Sequence, residues 1–444
     1  MKTGATNSKF VISNLRLDGK FHLSEGLEVR KLIKRSPYGY DIIKNVTSDI
    51  YCPGIFHRNY TSSGIPFLGG GDIQKAYYDS GKYLREKTTP NHEILKIKKG
   101  WSLVTCGGTI GDTVFANNLL AQCWVSQHVM RVIPLSIKEG MLFSYLASKY
   151  GHLLLTTNTY GSVIPTLNAS NIAELPIPCF PESFQKEVDD LIQESARLRE
   201  EATEDLLKAK KKIEILFPSV NVESFGTIRS HEIISSLGKR FEASFHQSIG
   251  KEFDSFVKTN FEWKPLSEMA YVSRPDLFKR YYVKNGLMFL GGKDIFLGIP
   301  QSDKFVSKTK TPDIPSLVIK EGNILMPRSG TIGDVAIATS QHAQKLASED
   351  VIRISADNIL RAGYLYAFLS SSIGRALIQR YIFGSVIQHV EPHQLNHIPI
   401  PILDDELMNT ISSLAISNKE KLGKAGELEL KAIALVEEEI EKWN

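Results

Sequence analysis

Two short segments combine glycine, threonine and aspartate in almost the same order, GGTIGD at residues 107–112 and SGTIGD at residues 329–334. Glycines spaced in this way can cradle a phosphate with backbone amides, or they can form a tight turn that needs positive φ. Neither segment has the GK[ST] ending of a P-loop, and each lies between β-rich runs. The pattern favours a hairpin turn over nucleotide binding, with Thr109 and Thr331 placed to contact a phosphodiester.

Other groupings give little support for metal binding or catalysis. His389, His393 and His397 recur every four residues, but Pro392 interrupts any helix there and the matched residues of the first half are not histidines. The chain has no HExxH motif and no CxxC pair, and no Ser/His/Asp grouping stands out. We therefore predict no catalytic residue, no metal and no cofactor.

The two turns belong to a duplication that covers most of the chain. Gly108 and Gly330 lie 222 positions apart, and GIPFLGGGDI is matched by GLMFLGGKDI at the same offset. GSVI at 161–164 matches GSVI at 384–387, and PIP at 176–178 matches PIP at 399–401, at an offset of 223. A segment near Arg16 matches one near Arg240 at 224. Offsets that drift so little indicate a duplicated domain.

Aspartates also recur beside the glycines of these segments, where they usually stabilise turns: Asp72 with Asp294, and Asp112 with Asp334.

Each copy ends in a long helical pattern. Apolar or small residues recur about every 3.5 residues from Val188 to Leu216, and a similar pattern runs from Leu407 through Leu435. This is the coiled-coil period, so we expect the two helices to pair rather than to pack only on their own domains. Asn418 falls on the expected seam. Gly423 and Gly426 lower helix propensity and predict a bend or fraying in the second helix.

Short β-rich runs followed by helical patterns predict an α+β fold in each copy. The expected order is a globular domain at residues 1–180, a long helix at 181–225, a second domain at 226–403 and a second helix at 404–444. No run of about 20 apolar residues predicts a membrane helix. The N-terminus has no signal-peptide pattern and the four cysteines form no disulfide framework. We therefore expect a cytoplasmic protein with no membrane partner.

Basic and aromatic residues give the clearest functional signal, although the net charge of +4 is too small to establish a polyanion partner. Arg58 and Tyr60 recur as Arg280 and Tyr282, and the tracts that follow them differ between the copies. Each tract alone is explained as a solvated loop, but two different basic loops on one frame suit two different DNA contacts. The candidate contacts in these tracts are Lys75, Tyr77, Lys82, Arg85, Lys304, Lys308 and Lys310. The candidate base readers are Gln127, His128, Gln344, Gln388 and His389.

RSGTIGD after a β-rich run, GSVI followed by PIP, and a long charged helix soon after PIP resemble the specificity subunits of type I restriction-modification systems. The resemblance covers essentially the whole chain, in both copies. It implies an α+β fold with two duplicated α/β target-recognition domains, separated by two long helices that pair as an antiparallel coiled coil. The implied partners are double-stranded DNA with a bipartite site, two methyltransferase (M) subunits and restriction/translocase (R) subunits. Further candidate DNA contacts are Ser162, Ser385, Arg328 and Ser329.

The chain has neither a P-loop nor the Asp/Asn-Pro-Pro-Tyr/Phe tetrapeptide of adenine methyltransferases, so the resemblance implies a non-catalytic recognition subunit. The glutamine-rich start of the family's helices is replaced by PESFQKEV and DDELMNTI, which leaves a two-subunit type IIB-like enzyme as an alternative. A duplicated phospho-ligand-binding enzyme and a structural adaptor are alternatives from other classes.

If Arg58 and Arg280 both touch phosphates, replacing them together makes the fall of log K for DNA binding with log salt concentration less steep, by about two in the slope.

Overall fold

A computed structural model describes residues 8, 22, 24–157, 166–220, 227–236 and 238–443. The chain divides into two compact units, Met1–Glu200 with Ala425–Asn444, and Glu201–Lys424. Each unit therefore combines one copy of the repeat with a segment of each long helix. The repeated segment near Arg16, the first GSVI and Ser162 lie outside the described residues.

The described part of the first unit contains short helices, three groups of paired strands and the start of the first long helix. Its helices are α1 (Glu25–Ile33), α2 (Ile43–Val46), α3 (Glu139–Ala147), α4 (Lys149–Thr157), α5 (Ala169–Ala173) and α6 (Glu182–Glu214), which ends in the second unit. Its strands are β1 (Tyr40–Ile42), β2 (Thr47–Tyr51), β3 (Ile65–Leu68), β4 (Tyr83–Leu84), β5 (Ser102–Thr105), β6 (Thr113–Phe115), β7 (Trp124–Val125), β8 (Val129–Pro134) and β9 (Pro176–Pro178). The described strands pair in the orders β2-β8-β5-β6, β4-β3-β7 and β1-β9.

The second unit repeats this arrangement. Its helices are α7 (Ser230–Ser235), α8 (Ala243–His246), α9 (Ile249–Asn260), α10 (Leu266–Met269), α11 (Ile314–Leu317), α12 (Ile359–Ser370), α13 (Ser372–Arg380), α14 (Pro392–Leu395) and α15 (Asp405–Glu441), which ends in the first unit. Its strands are β10 (Glu262–Pro265), β11 (Tyr271–Ser273), β12 (Tyr282–Leu290), β13 (Phe305–Val306), β14 (Ile324–Pro327), β15 (Ala336–Ile337), β16 (Leu346–Ala347), β17 (Val351–Ser355) and β18 (Pro399–Ile402). Their orders are β11-β17-β14-β15, β13-β12-β16 and β10-β18. The equivalent strand orders confirm the duplication and the α+β fold.

The main core of the first unit is shared by its sheet, its own helices and the end of the chain. Val104 of β5 and Leu146 of α3 belong to one buried cluster with Ile192 of α6 and Val436 of α15. Removing such apolar side chains from water is the main source of folding free energy. The last turns of α15 are therefore part of the first unit's core, although they lie about 300 residues from it in sequence.

The long helices pair within the first unit. The Ser195 hydroxyl of α6 donates to the carbonyl oxygen of Ala425 in α15 at 2.8 Å. Before α6 begins, the Phe180 ring lies 5.8 Å from the ring of Trp443, which follows α15. Because the start of one helix meets the end of the other, the pairing is antiparallel. Among the described residues, neither these helices nor any shorter one has the length and apolar character required to cross a membrane.

The same helices also pair within the second unit. The fully buried Asn418 of α15 donates its Nδ2 proton to the carbonyl oxygen of Ala202 in α6 at 2.7 Å. Beside it, Ser417 donates to a carboxylate oxygen of Asp205 at 2.8 Å. A buried amide on a helix seam favours one register over its neighbours. The expected pairing, with Asn418 on the seam, is confirmed.

One expectation for the second long helix is wrong. Helix α15 is continuous through Gly423 and Gly426, and both residues are buried. A Cβ atom on Gly423 would lie 2.8 Å from the hydroxyl of Ser340, so the glycine allows close packing where a bend was expected. Towards the end of α15, Val436 is fully buried and Leu435 is only partly buried. The buried face shifts there because this segment packs on the first unit's core.

Glycines also allow one helix of each repeat to approach a long helix closely. A Cβ on Gly140 of α3 would lie 2.8 Å from Ile192 Cβ in α6, and a Cβ on Gly363 of α12 would lie 2.8 Å from the Ser412 carbonyl oxygen in α15.

We expect Gly363→Leu to lower the free energy of unfolding by about 1–3 kcal/mol because the backbones of α12 and α15 must move apart. Urea denaturation measures this, with Leu360→Phe at a 48% exposed position of α12 as the control. Equal stability of the two variants would contradict the close approach.

Candidate functional site

The two GTIGD segments form equivalent turns. The first joins the antiparallel pair β5 and β6, and the second joins the antiparallel pair β14 and β15. Their glycines have φ values between 82° and 104°, in the left-handed region that favours glycine: Gly108, Gly111, Gly330 and Gly333. The predicted hairpin turns are confirmed. Thr109 and Thr331 are exposed on them.

The repeated aspartates beside the GGxDI glycines stabilise turns. An Oδ2 atom of Asp72 accepts a hydrogen bond from the backbone N–H of Gly69 at 3.0 Å, and Asp294 accepts one from Gly291 at 2.7 Å. This confirms the structural role expected for them. Lys75 forms an ion pair with Asp72 at 2.8 Å, so its ammonium group also stabilises this turn.

In the first unit an arginine is held between aromatic rings and a polar side chain. Arg58 Nη2 donates to Gln127 Oε1 at 2.6 Å. Its guanidinium lies 5.4 Å from the centre of the Phe67 ring and 5.7 Å from that of Phe56. Gln127 Nε2 lies 3.3 Å from Nε2 of His128. The structure therefore brings three predicted DNA contacts, Arg58, Gln127 and His128, into one hydrogen-bonded group.

The second unit holds Arg280 in the same way. Its guanidinium lies 5.4 Å from the centre of the Phe289 ring and donates to the carboxylate of Glu349, which stands where the first unit has Gln127. Burial alone would lower the pKa of Arg280, but hydrogen bonds with Glu349 and Tyr282 outweigh it and the pKa is raised. We call the repeated set of arginine, aromatic ring and acceptor the arginine cradle. Its acceptor is neutral in one unit and charged in the other.

A second repeated arginine is buried and structural. Arg131 and Arg353 lie on β8 and β17, and each donates four hydrogen bonds to carbonyl oxygens through its two terminal nitrogens. The acceptors are Leu95, Val125, Ser126 and Val129 for Arg131, and Leu317, Ala347, Ser348 and Val351 for Arg353. Burial lowers the pKa of each arginine to about 10, so both stay charged at neutral pH. These bonds fix the segment that carries the cradle's acceptor in each unit.

Beside the second cradle, charged residues form a larger cluster. Arg328 pairs with Glu391 at 2.7 Å and with Asp350 at 3.2 Å, and the Ser329 hydroxyl donates to Asp350 at 3.0 Å. Arg274 pairs with the other oxygen of Glu391 at 2.9 Å. Burial alone would raise the pKa of Glu391, but the two arginines lower it below its usual range. The cluster fixes the base of the SGTIGD turn.

The two units therefore share a frame that carries different chemistry. Tyr51 pairs with Arg131 in β2–β8, and Ser273 pairs with Arg353 in β11–β17, so Cys52 and Arg274 occupy equivalent places. The differing positions in the first unit are Cys52, Cys106, Gln127 and His128, matched in the second by Arg274, Arg328, Glu349 and Asp350. The Sγ atoms of Cys52 and Cys106 lie 3.3 Å apart, where the second unit has two arginines on one carboxylate.

A family model for the type I restriction modification DNA specificity domain matches residues 55–199 and 260–406, about two thirds of the chain. The chain belongs to this family. It is a DNA sequence-specificity subunit, and the repeated frame described above lies in its two specificity domains.

Solved structures similar to this subunit include the S subunit of a type I restriction-modification system and an HsdS subunit. The S subunit from M. genitalium is 14% identical, with a TM-score of 0.35, over 91% of this chain and 95% of that chain. The HsdS subunit from Thermoanaerobacter tengcongensis is 13% identical, with a TM-score of 0.30, over 92% and 99%. The type IIG restriction endonuclease BpuSI is 9% identical, with a TM-score of 0.29, over 43% and 33%. A comparison with curated proteins gives no match.

In the first specificity domain, the predicted contacts divide into two groups. Tyr60 is 46% exposed, its ring lies 6.1 Å from that of Phe67, and the Lys82 ammonium lies 5.7 Å from the Tyr60 ring centre. These side chains adjoin the cradle. Arg85 instead donates to the carbonyl oxygen and hydroxyl of Ser63, at 3.3 Å each. Tyr77 is half-buried.

In the second specificity domain, several predicted contacts are exposed on loops. They are Lys304, Lys308, Lys310 and Gln344, whereas Tyr282, which is 52% exposed, begins strand β12. Gln344 has a φ of 67°, in the left-handed region. Lys310 lies 5.5 Å from the ring centre of Tyr281. The cradle is thus bordered by a basic loop here as in the first domain, but with a different arrangement of lysines.

The second GSVI segment is the tip of a short hairpin. The backbones of Phe383 and His389 exchange hydrogen bonds at 2.9 and 2.8 Å, and Ser385 and Gln388 are exposed at the tip. A bridge between Ser329 and His389 joins this hairpin to the SGTIGD turn. The structure therefore places these four predicted contacts on neighbouring segments of one domain.

The histidines spaced every four residues do not share a helix. His389 lies in the hairpin, His393 lies in the short helix α14 that Pro392 begins, and His397 follows that helix. Among the described residues, no group of three side chains is arranged to hold a metal ion.

Sequence reasoning missed the acidic side chains that hold the second domain's arginines. Glu349 and Asp350 bind Arg280 and Arg328. A usable signal was present, because position 349 matches candidate Gln127 at the offset of 222. The difference in charge between the two residues hides this match.

Proposed function

We propose that this specificity subunit reads a bipartite site in double-stranded DNA, with one half-site bound by each specificity domain. The supporting observation is that the two domains share strand order and an arginine cradle but differ in the polar side chains around it. A common frame with different polar groups suits two half-sites of different sequence, because base edges are read by side-chain donors and acceptors.

The proposed contacts are basic, polar and aromatic side chains on the repeated turns and loops. In the first domain they are Arg58, Tyr60, Lys75, Tyr77, Lys82, Arg85, Thr109, Gln127, His128 and Ser162. In the second domain they are Arg280, Tyr282, Lys304, Lys308, Lys310, Arg328, Ser329, Thr331, Ser385, Gln388 and His389. We propose domain limits of 1–180 and 226–403, with the paired helices setting the distance between half-sites.

The subunit is proposed to be non-catalytic and to act in the cytoplasm with two methyltransferase subunits and with restriction/translocase subunits. Methylation of an adenine requires the base to leave the duplex and enter a methyltransferase pocket, so that chemistry falls to another chain. Co-purification distinguishes this assembly from a two-subunit type IIB-like enzyme, which needs no separate translocase.

Methylation mapping of genomic DNA, with and without the gene, tests the proposal. We expect one bipartite motif to lose its methylation when the gene is removed and to regain it on complementation. A mobility-shift titration with a duplex carrying that motif then measures binding by the subunit, alone and with its co-purified methyltransferase. Unchanged methylation, together with binding no stronger than that of an equally charged control protein, would refute the proposal.

A further inference from the structure

The two arginine cradles differ in charge. Gln127 is a neutral amide, so Arg58 keeps a net positive charge while the hydrogen bond holds. Glu349 forms an ion pair with Arg280, so this pair carries no net charge. The repeated arginines alone suggest equal contributions to DNA binding. The different acceptors, Gln127 and Glu349, indicate that the two arginines contribute unequally to DNA binding.

Burial makes the second pair difficult to separate. The Glu349 side chain is 6% exposed, whereas that of Arg280 is 37% exposed, so the carboxylate lies inside and the guanidinium faces outward. Within the described part of the chain, Glu349 Oε2 is buried without a hydrogen-bond partner. If Arg280 turned away towards a phosphate, it would leave an unpaired charge in a site of low dielectric, which is strongly unfavourable. Arg280 is therefore fixed in its cradle.

The first pair separates more easily. If Arg58 leaves Gln127, the domain loses a hydrogen bond to a neutral amide and the contacts with the Phe56 and Phe67 rings, but no unpaired charge is left in a site of low dielectric. Gln127 is only partly buried, so water can replace the lost donor. Arg58 can therefore move to follow a DNA phosphate and keep its full charge for that contact.

We propose that Gln127 and Glu349 are positioning residues that give the two arginines different tasks on DNA, Arg58 as a mobile phosphate contact and Arg280 as a fixed donor to a base edge. The inference rests on the proposed reading of DNA. The planar guanidinium of Arg280 has N–H groups beyond the one bound by Glu349, and such a rigid fork fits the two acceptors of guanine in the major groove. We therefore expect a guanine in the second half-site.

Exchanging the two acceptors tests the proposal without changing side-chain size. The full chain with its methyltransferase is titrated with a duplex carrying the mapped motif, and with one altered at the guanine, over a range of salt concentrations. Gln127→Glu is expected to make the fall of log K with log salt concentration less steep by about 0.9 in the slope, which is the value of one phosphate contact. Glu349→Gln is expected to make this fall steeper by about 0.9 and to reduce discrimination at that guanine about tenfold.

Two variants control for the change in overall charge. Gln122→Glu and Glu268→Gln make the same exchanges at exposed positions of the first and second units. Their slopes are expected to stay within the error of the wild type. If Glu349→Gln does not fold, the double variant Arg280→Gln/Glu349→Gln removes the pair together, and we expect it to lose discrimination while keeping the wild-type slope.

The outcomes distinguish this inference from the proposed function. If the wild-type complex binds DNA and both acceptor exchanges behave like their control variants, the assignment of different tasks to the two arginines is overturned. The proposed reading of DNA would then stand. Equal loss of slope for Arg58→Gln and for the Arg280/Glu349 double variant would also overturn them. A wild-type complex that binds neither duplex would overturn the proposed function, and this inference with it.

Discussion

Val436→Asp is expected to lower the free energy of unfolding of the first unit by about 4 kcal/mol. Val436 is fully buried in a cluster with Ile192 and Leu146, so the variant places a carboxylate in an apolar core. The carboxylate would be removed from water and surrounded by apolar side chains that cannot pair with its charge. Such substitutions are among the most damaging in proteins. Urea denaturation of the full chain measures the loss.

The matched control is Lys431→Asp, which places the same side chain at an exposed position of α15. Its effect is expected to stay within about 0.5 kcal/mol, the range usual for surface changes. We also expect Val436→Asp to weaken binding at the first half-site, because the end of α15 supports that specificity domain. A variant as stable as the control would mean that the C-terminal helix does not contribute to the first unit's core.

The turns, the duplication and the helix pairing could be predicted from sequence because each leaves a local signal. Gly108 and Gly330 lie between β-rich runs, and few other residues tolerate their positive φ. Asn418 interrupts an otherwise apolar seam at heptad spacing, which marks a buried polar position. In each case, neighbouring residues determine the structural role.

The errors arose where distant residues decide the outcome. Gly423 looked like a weak point because helix propensity describes an isolated helix, but its missing side chain lets Ser340 approach. Leu435 fitted the 3.5-residue period, yet Val436 is the buried residue because α15 there meets a domain core as well as α6. Propensity and period carry no information about these contacts.

The candidate site was predictable only in part. Arg58 and Arg131 both recur at the offset of 222, and the sequence does not reveal that one is half-buried on the site and the other is inside the domain. Position 127 was recognised in the first copy, but Glu349 was not recognised in the second. Burial and pairing of charges are tertiary properties, so repeated residue types identify a place in the fold without identifying its role.

Arg131→Met is expected to destabilise the first specificity domain by about 3–5 kcal/mol, because four carbonyl oxygens lose their donors inside the domain. Methionine keeps an unbranched apolar stem like that of arginine and supplies no N–H group. Lysine has a single nitrogen and cannot reach all four oxygens, so we expect Arg131→Lys to recover little stability. Urea denaturation measures both variants against Arg35→Met, a change at an exposed position of the same unit.

The duplication makes the functional consequence of this change specific to one half-site. Arg131 fixes the segment that carries Gln127, and Arg353 fixes the segment that carries Glu349 in the same way. Arg131→Met should therefore reduce binding to duplexes altered only in the second half-site, and Arg353→Met should reduce binding to those altered only in the first. Equal effects of both variants on both duplexes would contradict separate reading. If each variant weakens binding only through the half-site of its own domain, then an arginine buried inside a domain maintains the recognition surface of that domain.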